Sequence, residues 1–210
     1  KFDEVLYKRI IRVGSPVMLQ NFFSMASWLA FFLFIEKLGE SALAVSNISR
    51  SFYVILMIPM WGFASATNTL VSNLIGRGKQ AEVMSLVMKV VRLCAIGVLF
   101  IVMLGSIFPD LALKIYTNDP ELITLSLPAL YVVNVAAIFL AVAFVFFSAV
   151  SGTGKTQISF IIEMIVLFFY LVAAYILTEI LRQEVYIAWM TEYLYAILLG
   201  GISYLYLKSG

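Results

Sequence analysis

Three charged side chains sit where charge is costly. Glu163, Glu192 and Arg50 each fall inside a long apolar run. Both carboxylates lie about two helical turns into theirs, and Arg50 roughly three turns in. A carboxylate at that depth must be paired, protonated or bound to a cation. Three kinds of chemistry are open: Glu192 or Glu163 titrates or helps bind a cation, either one forms a static ion pair with Arg50, or the chains snorkel to an interface. Two polar stripes accompany the charges. Gln20, Asn21, Ser24, Ser27 and Trp28 fall within about two turns, with Asn21, Ser24 and Trp28 on one helical face. Asn47, Ser51, Ser65, Asn68 and Ser72 share a register with Trp61, and Asn134 stands alone further on. Such groups either tie helices together by hydrogen bonds or wall a water-facing cavity. The candidates for lining a cavity are Gln20, Asn21, Ser24, Trp28, Asn47, Trp61, Asn68 and Asn134.

Most enzymatic chemistry is excluded by what is missing. The chain has no histidine, so a histidine base, metal ligand or pH switch is ruled out. Its single cysteine, Cys94, lies in an apolar run and reads as a small buried hydrophobe. No His-Glu-x-x-His, paired aspartates or nucleophile elbow occur. Gly154-Lys155-Thr156 looks like the end of a phosphate-binding loop, but Ala149 stands where that motif needs its first glycine. No catalytic set, bound metal or organic cofactor is expected, and the net charge of +2 gives no footprint for nucleic acid.

The elements that must position these residues are membrane helices. Hydrophobic residues make up 63% of the chain and charged residues 12%, at a mean hydropathy of +1.02. A soluble domain is roughly half apolar and about a quarter charged, so lipid must be the solvent for much of this surface. The runs predict an all-α protein with six spans, near 13–35, 41–75, 81–108, 121–150, 156–181 and 184–207. Residues 1–12 read as an amphipathic lead-in: Phe2, Val5, Leu6, Ile10 and Ile11 alternate with Lys8, Arg9 and Arg12. Pro59 with Gly62 predicts a kink in the second helix. Without a secretory signal or initiator methionine, the sequence reads as part of a longer or processed product.

An even number of spans puts both ends on one side. That side carries Lys1, Lys8, Arg9, Arg12, Arg77, Lys79, Lys89, Arg92, Lys155 and Lys208, against Lys37, Lys114 and Arg182 on the other. The bias places both termini in the cytoplasm.

The order of motifs resembles the multidrug and toxic compound extrusion (MATE) transporters. The stretch from Arg12 through Gly14, Ser15 and Pro16 to Gln20 resembles the start of a lobe's first helix, and Leu38-Gly39-Glu40-Ser41-Ala42-Leu43-Ala44 the turn that follows. Gly62-Phe63-Ala64-Ser65-Ala66-Thr67, running on to Gly76-Arg77-Gly78, is similar to the family's long second helix and its Gly-x-Gly turn. Ser151 to Thr156 resembles the turn between the fourth and fifth helices. The resemblance implies one six-helix lobe, the C-terminal one, of a protein with about twelve spans. It also implies a Na⁺- or H⁺-coupled antiporter exporting organic, often cationic, compounds from a bacterial inner membrane. The expected partners are the bilayer, small organic substrates and a second six-helix lobe, either upstream in the same protein or a second copy. One departure stands out. Some members carry an acidic residue mid-way along the first helix of that lobe, where this sequence has Ser24. The alternatives are a lipid-linked precursor flippase of the same superfamily, which would line its cavity with several cations where only Arg50 is available, and an inactive lobe that needs a partner.

Overall fold

The computed structural model describes residues 4–209, and every regular element among them is helical. In chain order these are α1 (Glu4–Glu36), α2 (Glu40–Gly76), a 3₁₀ turn (Gln80–Glu82), α3 (Val83–Ile107), α4 (Pro109–Lys114) and α5 (Pro120–Gly152). They are followed by α6 (Thr156–Tyr175) with a π-helical continuation (Ile176–Ile180), α7 (Val185–Trp189) and α8 (Thr191–Ser209). Six segments are long and apolar enough to cross a bilayer: Ile10–Glu36, Glu40–Gly76, Gln80–Ile107, Pro120–Gly152, Thr156–Ile180 and Val185–Ser209. The chain is therefore a multi-pass membrane protein of the all-α class.

The lead-in and the first span form one unbroken helix from Glu4, which continues through Pro16. A proline removes only its own hydrogen bond, and a membrane helix tolerates that when neighbours support it. Lys1 and Phe2 lie outside the described residues, as do the side chains of Val5, Leu6 and Arg9. α2 likewise remains helical on both sides of Pro59. The last span is built from two pieces, α7 and α8, joined at Met190.

Local chemistry sets the turns. Gly78 has φ 73° and Gly154 φ 82°, left-handed values that a side chain rarely adopts. At the first of these turns the Lys79 amide donates back to the Leu74 carbonyl at 2.9 Å, closing the end of α2. Asp119 caps α5, its carboxylate accepting from the Glu121 amide at 2.9 Å, and Pro120 occupies the first helical position.

α5 is the axis of the bundle. In its most apolar stretch 67% of residues are buried, against 17% in α1. Lipid tails are as apolar as leucine, so membrane helices associate through close packing and hydrogen bonds. α5 supplies both. Its buried alanines, among them Ala136, Ala137, Ala141 and Ala143, let other backbones approach. A Cβ added to Gly200 of α8 would come within 3.2 Å of Ala143, and one on Gly152 within 2.8 Å of the Asn68 carbonyl of α2. Ser72 Oγ donates to the Gly152 carbonyl at 2.9 Å, and Tyr193 OH to the Val132 carbonyl at 3.0 Å. α1 packs mainly on α6 at the bundle's edge. An ion pair of Lys37 with Glu179, at 2.6 Å, ties the α1–α2 turn to the end of the α6 span.

Candidate functional site

The edge position of α1 leaves a cavity of about 730 Å³ between it and α2, α5, α6 and α8. Its walls are mostly aromatic and aliphatic: Trp28, Phe32, Tyr53, Trp61, Phe144, Phe147, Tyr170 and Tyr195, with Met25, Met57 and Leu167. Few polar groups converge on it, as in most ligand-binding cavities. Those groups include the two carboxylates. Glu163 and Glu192 both line the cavity and are each only 2% exposed.

The carboxylates are held by a reciprocal exchange between α6 and α8. α6 carries Glu163 and, two turns on, Tyr170; α8 carries Glu192 and, one turn on, Tyr195. Tyr195 OH donates to Glu163 Oε1 at 2.9 Å, and Tyr170 OH donates to Glu192 Oε1 at 3.2 Å. Each carboxylate gains a second donor from the N-terminal helices. Ser24 Oγ of α1 donates to Glu163 Oε1 at 2.7 Å, and Tyr53 OH of α2 donates to Glu192 Oε2 at 3.0 Å. The tyrosines are braced by rings: Tyr170 and Tyr195 lie edge to face at 5.8 Å, and Tyr53 sits 5.5 Å from Trp28 and 6.0 Å from Trp189.

The two sites differ in one respect. Both oxygens of Glu192 accept a tyrosine hydroxyl. Both donors to Glu163 share Oε1, and its buried Oε2 has no hydrogen-bond partner. Gln20 Oε1, also buried on the same cavity wall, is likewise unpartnered. A buried acceptor without a donor is costly; the Glu163 oxygen can take a proton, a cation or a ligand N–H, and the Gln20 amide oxygen a cation or a ligand N–H.

Of the residues singled out from sequence, Gln20, Asn21, Ser24, Trp28, Arg50, Trp61, Glu163 and Glu192 all line this cavity. Asn47, Asn68 and Asn134 do not. Asn68 sits where α2 meets Gly152 of α5, and Asn134 is buried with its amide donating to Ser106 Oγ of α3 at 3.0 Å. Asn47 lies near the start of α2, beyond the cavity end, and its carbonyl accepts from Ser51 Oγ at 3.0 Å. The static pair between Arg50 and a carboxylate is not formed. Arg50 makes no ion pair among the described residues, and its guanidinium lies over the Phe32 ring at 5.0 Å. Sequence reasoning passed over Tyr53, Tyr170, Tyr195 and the two α5 phenylalanines. The spacing of Glu163 to Tyr170 and of Glu192 to Tyr195 was an available signal, since on antiparallel helices it sets each acid opposite the other helix's tyrosine.

The fold is shared with solved MATE transporters. This chain superimposes on one such transporter, in its straight conformation, with a TM-score of 0.89 at 16% identity, covering 100% of this chain and 47% of that one. The Vibrio cholerae MATE transporter VcmN gives 0.84 at 18%, covering 98% and 46%. A transporter of the MOP superfamily from Pyrococcus furiosus gives 0.85 at 16%, covering 95% and 44%. In sequence, a probable multidrug resistance protein NorM from Thermotoga maritima is 29% identical over 161 residues, which is 75% of this chain and 34% of that protein. The MatE family model matches residues 16–176. The chain belongs to the MatE family, and it spans half or less of the length of these relatives.

Proposed function

We propose that this chain is one lobe of a MATE-type exporter, coupled to Na⁺ or H⁺, that moves organic and often cationic compounds out of the cell. The observation that carries the reading is the cavity. It joins an aromatic wall, which attracts cations and flat apolar bodies, to a buried carboxylate with a free oxygen. Membership of the MatE family supports the same reading. Among the described residues Arg50 is the only cation on the cavity wall, which fits a cationic cargo better than an anionic lipid-linked one.

Three parts go with the proposal. The lobe is the C-terminal one, and a second six-helix lobe closes the cavity. The exposed apolar face of α1 (Met18, Phe22, Met25, Leu29) and the open side of the cavity suit such a partner or lipid. Both termini face the cytoplasm of a bacterial inner membrane, by the distribution of lysine and arginine. Glu163, rather than Glu192, exchanges the coupling ion, because its Oε2 is unpartnered while both oxygens of Glu192 are occupied.

Dye transport tests the reading. Inside-out vesicles carrying the protein together with its second lobe should accumulate ethidium when Na⁺ or H⁺ is higher inside. Collapsing the gradient should release the dye. Accumulation that ignores both gradients would rule out a coupled exporter.

A further inference from the structure

A second concave site lies away from the cavity, at the other functional boundary of a membrane protein. Where α2 ends and α3 begins, a groove of about 360 Å³ opens between the two spans. Arg77 and Lys89 line it, with Ser85 as a further polar group and Leu70 and Leu74 as its apolar side. One acid, Glu82, also faces it, but Glu82 is paired with Lys79 outside the groove at 2.9 Å. Among the described residues neither Arg77 nor Lys89 has an ion-pair partner. The groove therefore presents two uncompensated cations among leucines and the polar Asn73 and Ser85.

We propose that this groove binds the headgroup of an anionic phospholipid. The ends of two spans place it at headgroup depth. Arg77 offers a planar fork that matches a phosphodiester, and Lys89 a point charge beside it. Leu70, 43% exposed, offers apolar surface to the acyl chains. A basic pocket between transmembrane helices is the form that anionic-lipid recognition takes. A free phosphate would satisfy the cations but make no use of the leucines.

Native mass spectrometry of the detergent-purified protein tests this. Dioleoylphosphatidylglycerol should bind about tenfold or more tightly than dioleoylphosphatidylcholine, which shares the phosphate but has no net charge. The Arg77→Gln/Lys89→Gln variant should lose that preference. An Arg12→Gln/Lys208→Gln variant, which removes the same charge elsewhere, should keep it. Glu82→Gln should strengthen binding a few fold, a gain that a misfolded protein would not give. Equal binding of the two lipids would overturn the proposal. So would a preference that survives loss of Arg77 and Lys89 or is weakened equally by the distant pair. Inorganic phosphate that displaces phosphatidylglycerol at matched concentration would assign the groove to a free anion instead.

Discussion

Glu163 and Glu192 sit at equal burial on neighbouring helices, and each accepts two hydroxyl hydrogen bonds. The donors and the distribution of those bonds differ. Glu192 has one tyrosine on each oxygen, and links α2, α6 and α8. Glu163 takes both donors on one oxygen, leaves the other free, and reaches the loosely packed α1 through Ser24. The lesson is that burial and charge alone do not identify an exchanging group. A carboxylate with a donor from the fold on each oxygen acts as a structural tie. One that keeps a free oxygen beside a cavity can change its partner.

The comparison can be broken at several points. The largest effect should follow Glu192→Ala, which strands two buried tyrosine hydroxyls; it should cost about 2–4 kcal/mol of stability, read as a drop in thermal denaturation midpoint in detergent. Glu163→Ala should cost less, because both hydrogen bonds to Glu163 are only part-buried, where water can replace the lost partner, whereas both to Glu192 are fully buried. Equal losses would erase the distinction. Close to these in size, Gly152→Val drives side-chain atoms into the Asn68 carbonyl and the Val71 side chain, and should cost about 1–3 kcal/mol by overpacking without altering ion selectivity. Tyr195→Phe removes one of the two donors to Glu163 and should cost about 0.6 kcal/mol, the average for a membrane hydrogen bond, yet change the ion dependence of dye transport. Smallest in stability should be Ser24→Ala, which frees α1 from Glu163; its signature is faster hydrogen exchange around Ser24 with exchange in α5 unchanged.

Much of this arrangement was legible in the sequence, and the reasons for the rest are physical. A charge in a run of apolar residues announces itself, so Glu163, Glu192 and Arg50 needed no structure to be noticed. Arg50's partner was not legible: pairing it with a carboxylate is the cheapest guess, but it meets the Phe32 face instead. The α1 stripe faces the cavity as a unit because α1 is at the edge and has one open side. The α2 stripe does not, because α2 is long enough to leave the cavity and meet α5, which takes Asn68. Spacing along one helix says which residues share a face, and the neighbour met by that face changes along its length. The tyrosines were hidden for a related reason. Tyrosine is common in this chain, and only the antiparallel register of α6 and α8 turns two of its tyrosines into donors for the opposite acid.

The central claim is that Glu163 exchanges the coupling ion while Glu192 holds the lobe together. Gradient-driven ethidium transport by Glu163→Gln and Glu192→Gln, each reconstituted with the second lobe at matched amounts of folded protein, tests it most directly. The account predicts that Glu163→Gln loses its response to the Na⁺ or H⁺ gradient by about tenfold or more, an effect typical of losing an essential proton-transfer group, while Glu192→Gln keeps it. Retained coupling in Glu163→Gln, or loss confined to Glu192→Gln, would contradict it.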